Sequence, residues 1–127
     1  RGVLRGLHFQ NPPYEQGKLV RVIKGAVLDV AVDIRKSSPT YGKYCSVKLS
    51  CKNKKIFWIP PGFAHGFLTL ENNTIFSYKC TSLYNKSSEE ALLWNDADLN
   101  IDWGIDIPIV SEKDNLAGNF KDFKTKF

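Results

Sequence analysis

The chain has 127 residues, 43% hydrophobic and 13% aromatic, with 18 Lys and Arg against 13 Asp and Glu for a formal net charge of +5. This length and apolar content exclude a disordered chain and predict one domain with a real core spanning residues 1–127. No apolar run approaches the roughly 20 residues of a membrane span, no signal peptide is legible and no nucleic-acid motif accompanies the basic residues, so neither a membrane nor a nucleic acid is an expected partner.

The chain opens inside what reads as a strand and contains no Met, which predicts a preceding N-terminal segment. Arg5-Gly6-Leu7-His8-Phe9-Gln10 alternates, so Leu7 and Phe9 share one face and His8 takes the other. His8 is one of only two histidines. An imidazole, with its ordinary pKa of about 6.5, is well placed for proton transfer when rooted in a stiff strand; a structural histidine bonded within a sheet is the plainer reading. Asn11-Pro12-Pro13 breaks this strand. Lys18 to Lys24 alternates as a second strand, Gly25 makes a turn and Ala26 to Ile34 forms a third, which together suggest a hairpin. On the third strand Leu28, Val30, Val32 and Ile34 make one face wholly apolar. Val27, Asp29, Ala31 and Asp33 make the other face mixed, as expected of polar side chains pointing into a cavity.

A loop at Ser37 to Gly42 precedes alternation from Tyr44 to Leu49, a turn at Lys52-Asn53-Lys54 and a short apolar strand from Ile56 to Ile59. Pro60-Pro61-Gly62 stops that strand, and Gly66 to Leu70 and Thr74 to Thr81 read as a further strand pair around Glu71-Asn72-Asn73. Two places read as helical. Ser87-Ser88-Glu89-Glu90 resembles a capping box ahead of Ala91, Leu92 and Leu93, and Ser111-Glu112-Lys113-Asp114 starts a turn in the same way. Short strands between Gly, Pro and Asn turns argue an all-β antiparallel sandwich or barrel. Cys45, Cys51 and Cys80 are odd in number and lack CxxC spacing, so they read as free thiols of a reducing, cytoplasmic setting and not as zinc ligands. The positive charge is a solvated surface by default; its sharper reading is a small anionic ligand such as a nucleotide diphosphate.

Phe57-Trp58-Ile59-Pro60-Pro61-Gly62-Phe63-Ala64-His65-Gly66-Phe67 places the second imidazole after a rigid corner, at a barrel mouth. With Ile59 to Phe67 of this stretch, Arg5 to Gln10, Gln16-Gly17-Lys18, Asp33-Ile34-Arg35, Ser38-Pro39-Thr40-Tyr41-Gly42 and Trp94-Asn95-Asp96 through Ile101-Asp102-Trp103 resemble the dTDP-4-dehydrorhamnose 3,5-epimerase family. The motifs occur in order at plausible spacing, from Arg1 to about Lys113. The resemblance implies a cupin-type jelly-roll β-sandwich or barrel with short helical turns near the C-terminus. It implies a homodimer that binds a nucleotide-diphosphate sugar, works without metal or other cofactor, and epimerises a 4-keto-6-deoxy sugar at C3 and/or C5 for surface-polysaccharide synthesis. Such an isomerase needs a base, an acid across the ring and a donor for the enolate oxygen.

By resemblance His8 is the base, Asp114 the carboxylate that orients its ring and favours its protonated form, and Tyr78 the proton donor. Asp114 reads alternatively as a helix cap residue and Tyr78 as a core aromatic. Lys18 matches a contact to the enolate oxygen or a phosphate, Arg5 a diphosphate contact and His65 a second site histidine, while Glu89 and Lys113 match further substrate contacts. For Lys18 a solvated strand end, and for Arg5 a surface ion pair, are the plainer readings. Asp29, on the mixed face, is a second candidate to steady His8 or a structural hydrogen-bonding group. Ala97 and Gly104 stand where the family usually carries Pro. Relatives that take GDP-linked heptoses or invert a single carbon fit the same residues, with thymidine the family default. Two readings of other classes compete. A metal-dependent cupin oxygenase is disfavoured by having two histidines in separate motifs and no HxH. A non-catalytic sugar-nucleotide-binding cupin is disfavoured by the presence of His8, Tyr78 and Asp114 together.

Overall fold

The structure, a computed structural model, describes residues 1–127. The strands run β1 (Val3–Gln10), β2 (Lys18–Lys24), β3 (Ala26–Asp33), β4 (Tyr44–Ser50), β5 (Ile56–Ile59), β6 (Phe63–Thr69), β7 (Ile75–Cys80), β8 (Glu89–Ala91) and β9 (Ile109–Val110). One helix, α1 (Glu112–Asn115), follows. The strands make two sheets: a large one ordered β4-β3-β6-β1-β8, with β9 added beside β1, and a small one ordered β5-β2-β7. Every pairing is antiparallel except that of β9 with β1. This is the all-β jelly-roll architecture expected from the sequence.

The two faces of β3 explain the layering. Its mixed face looks toward the small sheet, where Val27 and Ala31 pack with Leu49 against Val20, Val22 and Ile59. Its apolar face points the other way. There Val30, Val32 and Ile34 join Leu4, Leu7, Phe9, Ala64 and Leu68, and the C-terminal third covers them with Leu92, Leu99 and Trp103. Phe120, Phe123 and Phe127 extend that cover. Each of these side chains removes apolar surface worth about 25 cal/mol per Å² from water, so the chain after β8 is part of the core of the large sheet.

Three expectations are corrected. β2 and β3 do not form a hairpin: β2 pairs with β5 and β7, and β3 with β4 and β6. Gly25, at φ +83°, is the corner at which the chain passes between the sheets. β6 and β7 likewise do not pair with each other but belong to opposite sheets, and β6 begins at Phe63 rather than Gly66. Ser87 to Leu93 is not a helix. Asn85 caps a short 3₁₀ turn over Lys86–Ser88, and Glu89–Ala91 is a strand. Leu7 and Leu92 exchange backbone hydrogen bonds at 3.1 and 2.9 Å, so pairing with β1 outweighs the local capping signal. The expected turn at Ser111 does form, with Ser111 Oγ accepting from the Asp114 N–H at 3.2 Å.

At the end of β3 the buried Asp33 accepts hydrogen bonds from the Arg35 backbone N–H, the Arg35 guanidinium and the hydroxyls of Ser38 and Thr40. Burial pushes its carboxyl up, but these donors together hold it well below the usual carboxylate range. The folded value is thus depressed below the unfolded one of about 3.9. The contribution to stability is complete at neutral pH and is lost as the pH falls below that value. Asp33→Ala is expected to cost about 2 kcal/mol in chemical denaturation at pH 7, since the half-exposed Arg35 keeps much of its hydration. The difference from wild type should shrink as the pH falls through 4 toward 2.

Candidate functional site

Between the sheets lies a cavity of about 640 Å³, within the range of small-ligand sites. The large sheet supplies Arg5, His8, His65 and Phe67; the small sheet supplies Lys18, Phe76, Tyr78 and Cys80. Phe9, Gln10, Gln16, Glu89 and the segment Thr81 to Tyr84 complete its lining.

β1 reaches this cavity through an irregularity. Arg5 is opposite Phe67 and His8 opposite His65, so three steps along β1 match two along β6. The extra residue is a bulge. It changes which side chains face inward: Leu4 is in the outer core before it, Leu7 and Phe9 after it. Arg5 and His8 can therefore line the same cavity, although strict alternation puts Arg5 with Leu7. Gly6 makes this possible. Its φ is +126°, and a Cβ there would lie 2.6 Å from Gly66 Cα and 2.7 Å from the His65 carbonyl oxygen.

Two histidine–carboxylate pairs meet the cavity. His8 Nε2 lies 2.6 Å from Asp114 Oδ1, and His65 Nε2 lies 3.0 and 2.9 Å from the two oxygens of Asp29. Ionised carboxylates only accept hydrogen bonds, so in each pair Nε2 carries a hydrogen, and in the neutral ring Nδ1 holds the lone pair. Asp29 thus serves His65 and not His8, a correction to one sequence expectation. Both residues face the cavity side, but the register sets Ala31, two residues beyond Asp29, opposite His65. Burial pushes the Asp29 carboxyl up, against the hydrogen bond and charge of His65.

Lys18 is at the start of β2, opposite Cys80 on β7. Burial pushes its ammonium pKa down, against the pull of Cys80, Asp29 and Glu89. Tyr78 is 59% exposed and so is not a packed core aromatic; it stands over the aromatic floor, its ring 6.2 Å from that of Phe76. Phe76 in turn is 4.6 Å from Phe67. Glu89 accepts from the Tyr84 hydroxyl and pairs with Lys113 at 3.5 Å. Burial raises the Glu89 carboxyl, but Tyr84, Lys113 and His8 outweigh it and hold it below its ordinary value, while the same hydrogen bond raises the Tyr84 phenol.

The structure therefore brings Arg5, His8, Lys18, His65, Tyr78 and Glu89 to one cavity, with Asp114 buried behind His8. Lys113 is not among the lining residues. Its side chain is 70% exposed and reaches the site only through Glu89, because α1 turns its Asp114 face inward and its Lys113 face outward. Sequence reasoning assigned no role to Gln10 and Gln16. Gln10 binds the carbonyls of Tyr14 and Leu83 and the N–H of Asn85, and Gln16 binds the Ser82 carbonyl. Together they pin the rim of the cavity. Both stand inside the motifs that carried the family resemblance, which was the signal available. No three His, Cys, Asp or Glu side chains are grouped so as to hold a metal ion.

Comparison with known proteins gives one consistent result. A family model described as dTDP-4-dehydrorhamnose 3,5-epimerase matches residues 1–122. The dTDP-4-dehydrorhamnose 3,5-epimerase of Shigella flexneri is 53% identical over 122 residues, covering 96% of this chain and 67% of that protein. The crystal structure of the enzyme of that name from Elizabethkingia anophelis NUHP1 superposes with a TM-score of 0.93 at 52% identity, covering 95% of this chain and 67% of the other. The dTDP-6-deoxy-D-glucose-3,5-epimerase of Legionella pneumophila Philadelphia 1, solved in complex with dTDP-4-keto-L-rhamnose, gives 0.92 at 48% identity, covering 98% and 66%. The chain spans about two thirds of the length of these relatives.

Proposed function

This chain belongs to the dTDP-4-dehydrorhamnose 3,5-epimerase family, and we propose on that premise that it is an isomerase converting dTDP-4-dehydro-6-deoxyglucose to dTDP-4-dehydrorhamnose. Hydrogens at C3 and C5 of the sugar flank the C4 ketone and are acidic for that reason. His8, by Nδ1, takes one of them; the electron pair moves onto the C4 oxygen as an enolate. Lys18 donates to that oxygen, and His65, held by Asp29, lines the same cavity. The Tyr78 phenol returns a proton to carbon from the opposite face, which inverts the centre, and solvent restores both groups. Arg5 binds the diphosphate, and Glu89, with Lys113 behind it, holds the sugar-nucleotide at the rim. The observation that carries this reading is that His8 and Tyr78 enter one cavity from opposite sheets. A base and an acid on one wall would exchange a proton without inverting anything.

The lowered Lys18 pKa suits this role, because a less basic ammonium gives its proton more readily to an enolate oxygen. Lys18→Gln is expected to lower kcat about 10²-fold, measured as product formation by NMR, with a smaller change in KM.

The same reading makes the chain a homodimer. The outer face of the small sheet carries an exposed apolar row, Leu19, Ile23, Ile56, Trp58 and Ile75, which supports a covered interface there. Three unpaired, exposed cysteines are in keeping with a reducing, cytoplasmic setting.

A further inference from the structure

Asp114 is fixed by more than its contact with His8. Its second oxygen, Oδ2, accepts from the Gly6 backbone N–H at 3.2 Å, a donor that the bulge frees from the β1–β6 ladder. The residue before α1 is Ser111, whose hydroxyl accepts the Asp114 N–H at 3.2 Å. The residue before Ser111 is Val110, paired with Leu4 of β1. The carboxylate is thus tied to one strand at Leu4, Gly6 and His8, and only a four-residue helix lies in between. A helix that short has no stability of its own, so its cap decides whether the carboxylate keeps its place.

We propose that the Gly6 N–H and the Ser111 hydroxyl form a two-point clamp that presents a single oxygen of Asp114 to His8 Nε2, which makes Ser111 a positioning residue for the base; this rests on His8 being the base proposed above. The clamp fixes the tautomer. With Oδ2 occupied by Gly6, Oδ1 is left for Nε2–H, and Nδ1 keeps its lone pair for the substrate. If the cap is lost, α1 frays, the carboxylate rotates away from Gly6, and the ring samples both tautomers.

Ser111 is exposed and is not among the residues lining the cavity, so its removal should leave binding intact. Ser111→Ala is expected to lower kcat about tenfold at unchanged KM. Ser111→Thr and Ser111→Asp, which keep a capping oxygen, should restore it to within about twofold, and Glu112→Gln on the same turn should behave as wild type. A second readout does not depend on activity. Nitrogen-15 NMR of His8 in the ligand-free protein should show one tautomer, hydrogen on Nε2, in wild type and in Ser111→Thr, and a mixture in Ser111→Ala. An Ala variant with the wild-type kcat and a single tautomer overturns the clamp, as does a loss of kcat that Thr and Asp fail to restore or one matched by a rise in KM. A wild-type protein that turns over no substrate would overturn the assignment of function instead, and the tautomer measurement would still decide the clamp.

Discussion

Replacing His8 with Asn is expected to lower epimerisation about 10⁴-fold while the protein folds and still binds dTDP. Asn is the informative substitution. Asp114 is buried, and removing its partner outright would leave a carboxylate held by the Gly6 N–H alone, a loss that destabilises the fold as well as the chemistry. An amide can still donate toward Oδ1 but cannot accept a proton from carbon. The flanking Leu7 and Phe9 lie in the core on the other face, so the strand keeps its register. Isothermal titration with dTDP and single-turnover NMR with the 4-keto sugar separate the two effects. Full activity in this variant would remove His8 from the reaction.

Tyr78→Phe should act differently. It is expected to reduce the inverted product about 10³-fold, yet leave proton removal by His8 in place. Tyr78 is exposed, so losing the hydroxyl costs little stability, and the ring still packs beside Phe76. In D₂O such a variant should wash deuterium into the substrate with retention, because the base can return what it took while nothing delivers a proton from the facing wall. Normal inversion would assign the acid elsewhere, with Tyr84 the other phenol lining the cavity. The raised Tyr84 phenol and its commitment to Glu89 make it the poorer donor at neutral pH.

The parts of this site that depend on local pattern were legible in the sequence, and the parts that depend on pairing were not. Alternation along β3 separates an apolar from a mixed face, and the structure uses the two in that way. The Ser111 turn is local and forms as read. Gly25 looks the same in sequence whether it closes a hairpin or carries the chain between sheets, because the choice lies with the distant strands β5, β6 and β7. The Ser-x-x-Glu pattern at Ser87 satisfies a capping rule, but the edge of β1 is an open row of donors and acceptors, and Glu89–Ala91 fills it. Asp29 was placed on the cavity side by its parity, while its partner histidine follows from a register no single strand reveals. The bulge at Gly6, which aims Arg5 and His8 together, needed the close approach of Gly66. His8 stood out as one of two histidines on an alternating strand, whereas Tyr78 and Asp114 carry no distinguishing local pattern and the family resemblance singled them out.

The most direct test of facing acid and base is proton NMR of dTDP-4-dehydro-6-deoxyglucose incubated in D₂O with the purified protein. Deuterium should enter at C3 and C5 together with inversion of those centres, at rates abolished by His8→Asn. Exchange with no inversion, or no exchange at all in the folded wild-type protein, would contradict a base and an acid working across one sugar ring.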